Sequence, residues 1–283
     1  MDNILTSEAL RQDSYGYDIL EIETLEDIQQ GANHYVFRDV HFLMKKRGKS
    51  NLIVGFHGSL VEPEPVFRCH NYEGVDVLSI SDRLINKYGG PRDKPNKIAV
   101  SWYLNSQKYP DNMDIYGDII GHVIDSGSYE KVLFFGTSAG GYPSLYYAGL
   151  FNKECLISNA QIYLPESGYY SILTTCLEKH SDKLLEEPSI CDHFLEKGFP
   201  ARIHIHCNNE DVIHYRKHFL PFLCFCSDSG YTNTTVNIFT VRIEGINPHG
   251  VLFYMSGGVG AAKRAMGIEI QDRPGIDNDM VRL

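Results

Sequence analysis

Lys131-Val132-Leu133-Phe134-Phe135-Gly136-Thr137-Ser138-Ala139-Gly140-Gly141 runs from an apolar stretch through Gly-x-Ser-x-Gly into residues of helical character. The apolar run predicts a buried strand, and the sharp turn behind it predicts a nucleophile elbow. A serine on such a strand-to-helix turn takes a strained backbone conformation, so the residues two positions to either side must be small, as Gly136 and Gly140 are. The turn is expected to expose the hydroxyl. It also aims the backbone N–H of Ala139 and the start of the following helix at the point where an oxyanion would form. A glycine-rich turn holding an ordinary serine would need no strand leading into it, and here one does. The rest of the chain must then supply a base, an acid and a second oxyanion donor.

Asn51-Leu52-Ile53-Val54-Gly55-Phe56 is a continuous apolar run of the kind found in strands buried on both faces, and it ends at His57-Gly58-Ser59. Paired with the elbow, a His-Gly turn after an early strand places a backbone N–H opposite the nucleophile, so Gly58 or Ser59 is the expected second oxyanion donor. Further on, a strand ending at His206-Cys207 is followed by Asn208-Asn209-Glu210-Asp211-Val212-Ile213. A carboxylate on that loop would hold the catalytic imidazole in one tautomer and stabilise the imidazolium. Aspartate is the usual residue type and has the shorter reach, which favours Asp211; the spacing suits Glu210 about as well. The base is expected after the last strand, residues 236–241, where Ile246-Asn247-Pro248-His249-Gly250 heads Val251-Leu252-Phe253-Tyr254. Of the 12 histidines, His249 alone follows the acid on a Pro/Gly loop at a strand end. His214 and His218 belong to the helical segment directly behind the acid.

The remaining pattern alternates β and α signals. Residues 1–34 read as an irregular, acidic lead-in, and 34–46 as a β-hairpin turning at Arg38-Asp39. Strands are expected at 75–80, 97–103 and 155–159, and helices at 114–124 and 142–151, where Pro143 falls in the tolerant first turn. No Pro/Gly/Ser-rich linker interrupts the alternation. This predicts one α/β domain over 1–283, a mostly parallel central sheet with helices on both faces and the elbow at the carboxyl end of a strand. The helical stretch 168–198 exceeds what a crossover requires and is expected to form a small cap beside the site.

Composition narrows the function. A hydrophobic fraction of 43% and a charged fraction of 22% are those of an ordinary globular chain, and the net charge of -10, with no dense basic stripe, excludes a nucleic-acid partner. No apolar run reaches the ~18 residues of a membrane-spanning helix. The N-terminus lacks a basic stretch followed by an apolar core, so the expected location is cytoplasmic. Seven cysteines without framework spacing point to reduced thiols. His214 and His218, near Glu210 and Asp211, and the pair His204 and His206 on one strand face are conceivable metal ligands. Without a His-Glu-x-x-His or Cys-x-x-Cys pattern, and with Cys224-Phe225-Cys226 wrongly spaced, no metal is expected. Gly257-Gly258-Val259-Gly260 has no strand leading directly into it, so it reads as helix packing or a turn and not as a nucleotide loop.

Phe56-His57-Gly58, Gly136-Thr137-Ser138-Ala139-Gly140-Gly141, Asn209-Glu210-Asp211 and Pro248-His249-Gly250 together resemble the α/β-hydrolase superfamily over residues 50–267, in the order nucleophile, acid, base that those enzymes share. Within it, the Ser-x-Gly-Gly elbow, the compact size and the lack of a secretion signal resemble the serine O-acetyltransferases of bacterial capsule biosynthesis and the accessory-secretion acetyltransferases that modify glycans. That resemblance implies acetyl-CoA as acyl donor and a carbohydrate hydroxyl as acceptor. The expected chemistry is serine acyl transfer by Ser138, His249 and Asp211 or Glu210. A carboxylesterase cleaving a small acyl ester, and a non-catalytic binding or assembly protein that kept the fold, are the alternatives.

Overall fold

The strand that feeds Ser138 lies in the interior of a nine-stranded sheet in a computed structural model of the chain. The structure describes residues 11–59, 64–90, 96–185 and 188–272, without the side chains of 251–258 and 271–272. In chain order the strands are β1 (Ile19–Glu21), β2 (Gly31–Phe37), β3 (Val40–Lys46), β4 (Asn51–Phe56), β5 (Tyr72–Glu73), β6 (Asp76–Ile80), β7 (Lys131–Thr137), β8 (Glu154–Ser158), β9 (Arg202–Asn208), β10 (Thr234–Phe239) and β11 (Gln271–Asp272). The helices are α1 (Arg83–Tyr88), α2 (Asn112–Ser126), α3 (Gly141–Leu150), α4 (Tyr170–Lys179), α5 (Ile190–Lys197), α6 (Val212–His214), α7 (Leu220–Asp228) and α8 (Val251–Met266).

The sheet order is β1-β2-β3-β6-β4-β7-β8-β9-β10, and β5 pairs separately with β11. Only β3 runs against its neighbours; every other pair in the large sheet is parallel. Its reversal follows from the β2–β3 turn, where Arg38 and Asp39 both adopt positive φ, 47° and 63°, as a two-residue hairpin demands. The parallel strands are apolar throughout because helices cover both faces. Leu52, Val54, Phe56 and Phe134 point to the face packed by Ile119 and Val123 of α2, Leu145 and Ala148 of α3 and Phe194 of α5. Ile53, Leu133, Phe135 and Leu156 point to the other, where Ala261, Ala262 and Met266 of α8 lie.

Two expectations need correction. The lead-in is not irregular throughout: its described part supplies β1, which pairs parallel with β2 (Ile19 opposite His34), and residues 1–10 lie outside the described chain. Residues 97–103 form no strand; Ile98 makes only an isolated bridge to Gly89, and Trp102 and Tyr103 both have positive φ, 52° and 63°. The buried carboxylate of Asp82 captures this segment by accepting from the Ser101 hydroxyl and the Tyr103 N–H, replacing the ladder bonds a strand would make. Within 168–198, α5 belongs to the helical layer itself, with Phe194 against Gly149 of α3. Leu173 and Leu177 of α4 enter the same core, so the stretch is anchored in the domain.

Candidate active site

Steric necessity shapes the elbow. Ser138 has φ 53°, the left-handed region that L-residues pay strain to occupy. A Cβ on Gly136 would sit 1.9 Å from the Gly140 carbonyl oxygen, and one on Gly140 would sit 2.5 Å from the Phe56 oxygen and 2.7 Å from the His57 oxygen. A Cβ on Gly141 would come 2.3 Å from the Ala160 Cβ, so three glycines are required here and not two. Ser138 as a whole is only 6% exposed, yet its hydroxyl oxygen is not among the fully buried, unpartnered polar atoms. The loops leaving β4 and β8 close around it, with Gly58 beside the Thr137 oxygen and the Ser138 Cβ, and the Gln161 N–H donating to the Ser138 carbonyl at 2.9 Å. The Ser138 hydroxyl makes no hydrogen bond among the described residues.

The candidate oxyanion donors come from two segments that adjoin that serine. Ala139 begins the turn into α3, while Gly58 and Ser59 follow β4, the neighbour of β7. His57 fixes the second segment. Its Nε2 accepts the Asp82 N–H at 2.9 Å, so the ring proton resides on Nδ1 and is donated to the Gly58 carbonyl at 2.8 Å. The His57 N–H donates to the Tyr103 hydroxyl, which donates to the Ile80 carbonyl. His57 is therefore a buried scaffold for the Gly58 turn. Burial pushes Asp82 up to about 6 against the opposing hydrogen bonds from Ser101, Tyr103 and Leu84.

Asp211 and His249 meet directly. Asp211 follows β9, caps α6 through its side chain, and accepts from His249 Nδ1 with Oδ2 at 2.6 Å. Its Oδ1 accepts from His214 Nδ1 at 2.9 Å. Burial alone would raise the acid's pKa, but the hydrogen bonds from His214 and His249 outweigh it and hold the carboxyl well below the usual range. Glu210 is not brought to either imidazole; its N–H donates to the Asn208 side chain, and it serves the turn before the acid. With Nδ1 given to Asp211, Nε2 is the His249 ring nitrogen chemically able to accept a proton. Neighbouring strands are ~4.8 Å apart, so with β8 between β7 and β9 the strand ends carrying Ser138 and Asp211 are separated by ~10 Å, a gap that one imidazole spans.

Asparagines clamp the His249 loop in place. The Asn208 amide donates to the Val241 and Pro248 carbonyls at 2.8 and 3.0 Å, and Asn159 donates to the His249 carbonyl at 3.0 Å while accepting the Asn208 N–H. Both are buried. Sequence reasoning passed over them, although a polar amide ending an otherwise apolar strand, as at β8 and β9, was the available signal. It also passed over Gln161, and it placed His214 in the helical segment behind the acid and among conceivable metal ligands, not as a partner of Asp211. Among the described residues, the one group able to hold a metal ion is Asp211, His214 and His249. Both Nδ1 atoms there already face the carboxylate, so a cation between them would have to displace two N–H protons. The pair His204 and His206 is divided: His204 bonds Glu154 at 3.0 Å, whereas His206 packs against Phe239.

No protein-family model matches the sequence, nor does any curated protein. Solved structures do match the fold. The capsule O-acetyltransferase of Neisseria meningitidis serogroup A is similar at TM-score 0.50 and 16% identity, over 76% of this chain and 89% of that one. A Pyrococcus furiosus esterase is similar at TM-score 0.53 and 11% identity, over 84% and 91%. The S-formylglutathione hydrolase of Agrobacterium tumefaciens is similar at TM-score 0.50 and 10% identity, over 76% and 90%. The chain has the α/β-hydrolase fold that these proteins share.

Proposed function

We propose that this protein is a serine acyl-transfer enzyme in which Ser138 is the nucleophile, His249 the general base and Asp211 its acid partner. The observation that carries the reading is the 2.6 Å contact between His249 Nδ1 and Asp211 Oδ2, Asp211 following β9 at the same carboxyl end of the sheet as a serine held at φ 53° on a glycine-bounded elbow. Ser138 Oγ attacks the acyl carbon and its proton passes to His249 Nε2, with Asp211 stabilising the imidazolium. The negative charge on the acyl oxygen falls to the N–H of Ala139 and to that of Gly58 or Ser59. The latter two donate no hydrogen bond among the described residues. His249 returns the proton to the leaving group. A second nucleophile, deprotonated by His249, then releases the acyl group from Ser138. The Ser138 hydroxyl, which makes no hydrogen bond among the described residues, comes within reach of His249 Nε2 as the acyl substrate binds.

The reaction proposed in full is transfer of acetyl from acetyl-CoA to a hydroxyl of a bacterial capsular polysaccharide or other glycan. The sequence resemblance described above and the fold shared with a capsule O-acetyltransferase support it. Hydrolysis of a small acyl ester is the second reading, favoured by the equally good fold match to esterases. Water at ~55 M resolves an acyl-serine unless an acceptor hydroxyl is held at attack distance, where effective molarities of ~10⁵ M become available. Intact mass after exposure to acetyl-CoA, and free-thiol release with and without capsule oligosaccharides, tests the choice. An acetylated Ser138 and saccharide-accelerated thiol release are expected. Brisk cleavage of acetyl esters with no saccharide effect would make the protein a carboxylesterase.

A further inference from the structure

The acid of the candidate triad is shared between two imidazoles, and a chain of hydrogen bonds fixes the role of the second. The Trp102 indole N–H, which can only donate, lies 2.8 Å from Gln161 Oε1. This turns the Gln161 amide nitrogen toward His214, whose Nε2 lies 3.4 Å away and must accept. His214 is therefore protonated at Nδ1, and that N–H donates to Asp211 Oδ1 at 2.9 Å, leaving Oδ2 for His249. The two rings stack with centroids 4.0 Å apart and planes 27° from parallel. Two adjacent imidazolium ions so placed would repel strongly, so His214 has to remain neutral while His249 takes up a proton.

We propose that His214 is a positioning residue: its Nδ1–H holds one oxygen of Asp211, aims the other at His249, and draws off part of the carboxylate charge that would otherwise make His249 more basic. The catalytic consequence rests on the function proposed above; the effect on His249 does not. The charged and titratable groups facing His214 among the described residues are few. Asp211 is its one carboxylate partner, and Lys217 on the following turn is paired with Glu166 at 3.1 Å. His218, whose centroid lies 5.4 Å away, accepts from the Ile162 and Tyr163 N–H groups and is pushed down to about 4 by burial. Glu210 contacts neither ring.

Three variants and one spectrum test this. Histidine-selective ¹⁵N NMR of the wild-type protein should show His214 as the Nδ1-protonated tautomer; the opposite tautomer would overturn the proposal without any substitution. His214→Phe should raise the His249 pKa by about one unit, the equivalent of one hydrogen bond to a charged group. His214→Asn, whose amide reproduces the Nδ1 donor, should leave it near the wild-type value. On an activated acetyl ester, the acidic limb of kcat/KM should move upward with His214→Phe and stay in place with His214→Asn, while kcat falls about tenfold or more in the first and KM changes little in both. Identical behaviour of the two variants, or an unmoved His249 in His214→Phe, would refute the role of the donor. Ser138→Ala is the control that separates the two claims. If the wild type and Ser138→Ala proteins handle the ester equally, the acyl-transfer reading fails, and the His249 titration still decides the role of His214.

Discussion

Nδ1 of His249 lies 2.6 Å from Oδ2 of Asp211, joining two loops that are 38 residues apart in the chain. The contact discriminates between adjacent carboxylates, since Glu210 engages neither histidine. Asp211→Asn should lower kcat by ~10³–10⁴-fold because it disturbs the tautomer of the base. Glu210→Gln should stay within about threefold of wild type, as a substitution away from the hydrogen-bonded pair. Steady-state kinetics on an acetyl ester reads both, and comparable losses in the two variants would place the acid elsewhere. There is also a stability signature. The Asp211 pKa is lowered in the folded state, so its contribution is present above the unfolded value of ~3.9 and is lost as pH falls below it. Asp211→Asn should accordingly flatten the acid end of the melting curve.

Ser138 occupies φ 53° with a side chain that does not favour it. Ser138→Ala and Ser138→Gly should both abolish turnover, yet the glycine variant should be the more stable by about 1 kcal/mol, since it removes the left-handed strain. Differential scanning calorimetry on the two variants would show this as a separation of ~2 °C. Equal melting temperatures would mean that the elbow stores no strain.

Gly140 carries the close approach of the elbow to the end of β4. Gly140→Ala would push a methyl group to within 2.5 Å of the Phe56 carbonyl, which is backbone and cannot rotate away. A loss of about 2–3 kcal/mol, or failure to accumulate folded protein, is expected. Gly168→Ala is the matched control, because nothing lies within 4 Å of the added carbon. Urea titrations compare the two.

Burial pushes His41, His206 and His218 down to about 4. For each, the unfolded chain takes up a proton at ~6.5, well before the folded protein does, so stability is complete above that value and is lost as pH falls toward 4. Asp82, pushed up to about 6, works in the opposite sense between pH ~4 and 6, but it is one group against three. Melting temperature should therefore fall steadily from pH 7 to 4.5. His206→Leu should reduce the slope; a slope unchanged by that substitution would assign the acid sensitivity to other groups.

The central strands were legible in the sequence because a parallel strand buried on both faces must be apolar at every position, as residues 52–56 and 132–135 are. The elbow was legible for a related reason: Gly136 and Gly140 admit no Cβ, and that local constraint leaves a mark in the sequence whatever the surrounding fold. The strand expected at 97–103 misled because its apolar residues satisfy burial without pairing. A single distant carboxylate, Asp82, claims the Ser101 hydroxyl and the Tyr103 N–H and bends the segment out of the sheet. The choice between Asp211 and Glu210 was likewise beyond the sequence, since both lie on the same loop and only the cap geometry of α6 decides which one turns inward. The second imidazole on Asp211 depends on more remote residues still. Trp102 orients Gln161, Gln161 fixes the tautomer of His214, and His214 takes one oxygen of the acid. Hydrogen-bond direction propagates through space and not along the chain, so a sequence can announce the elbow serine but only the folded protein can say which atoms its neighbours present.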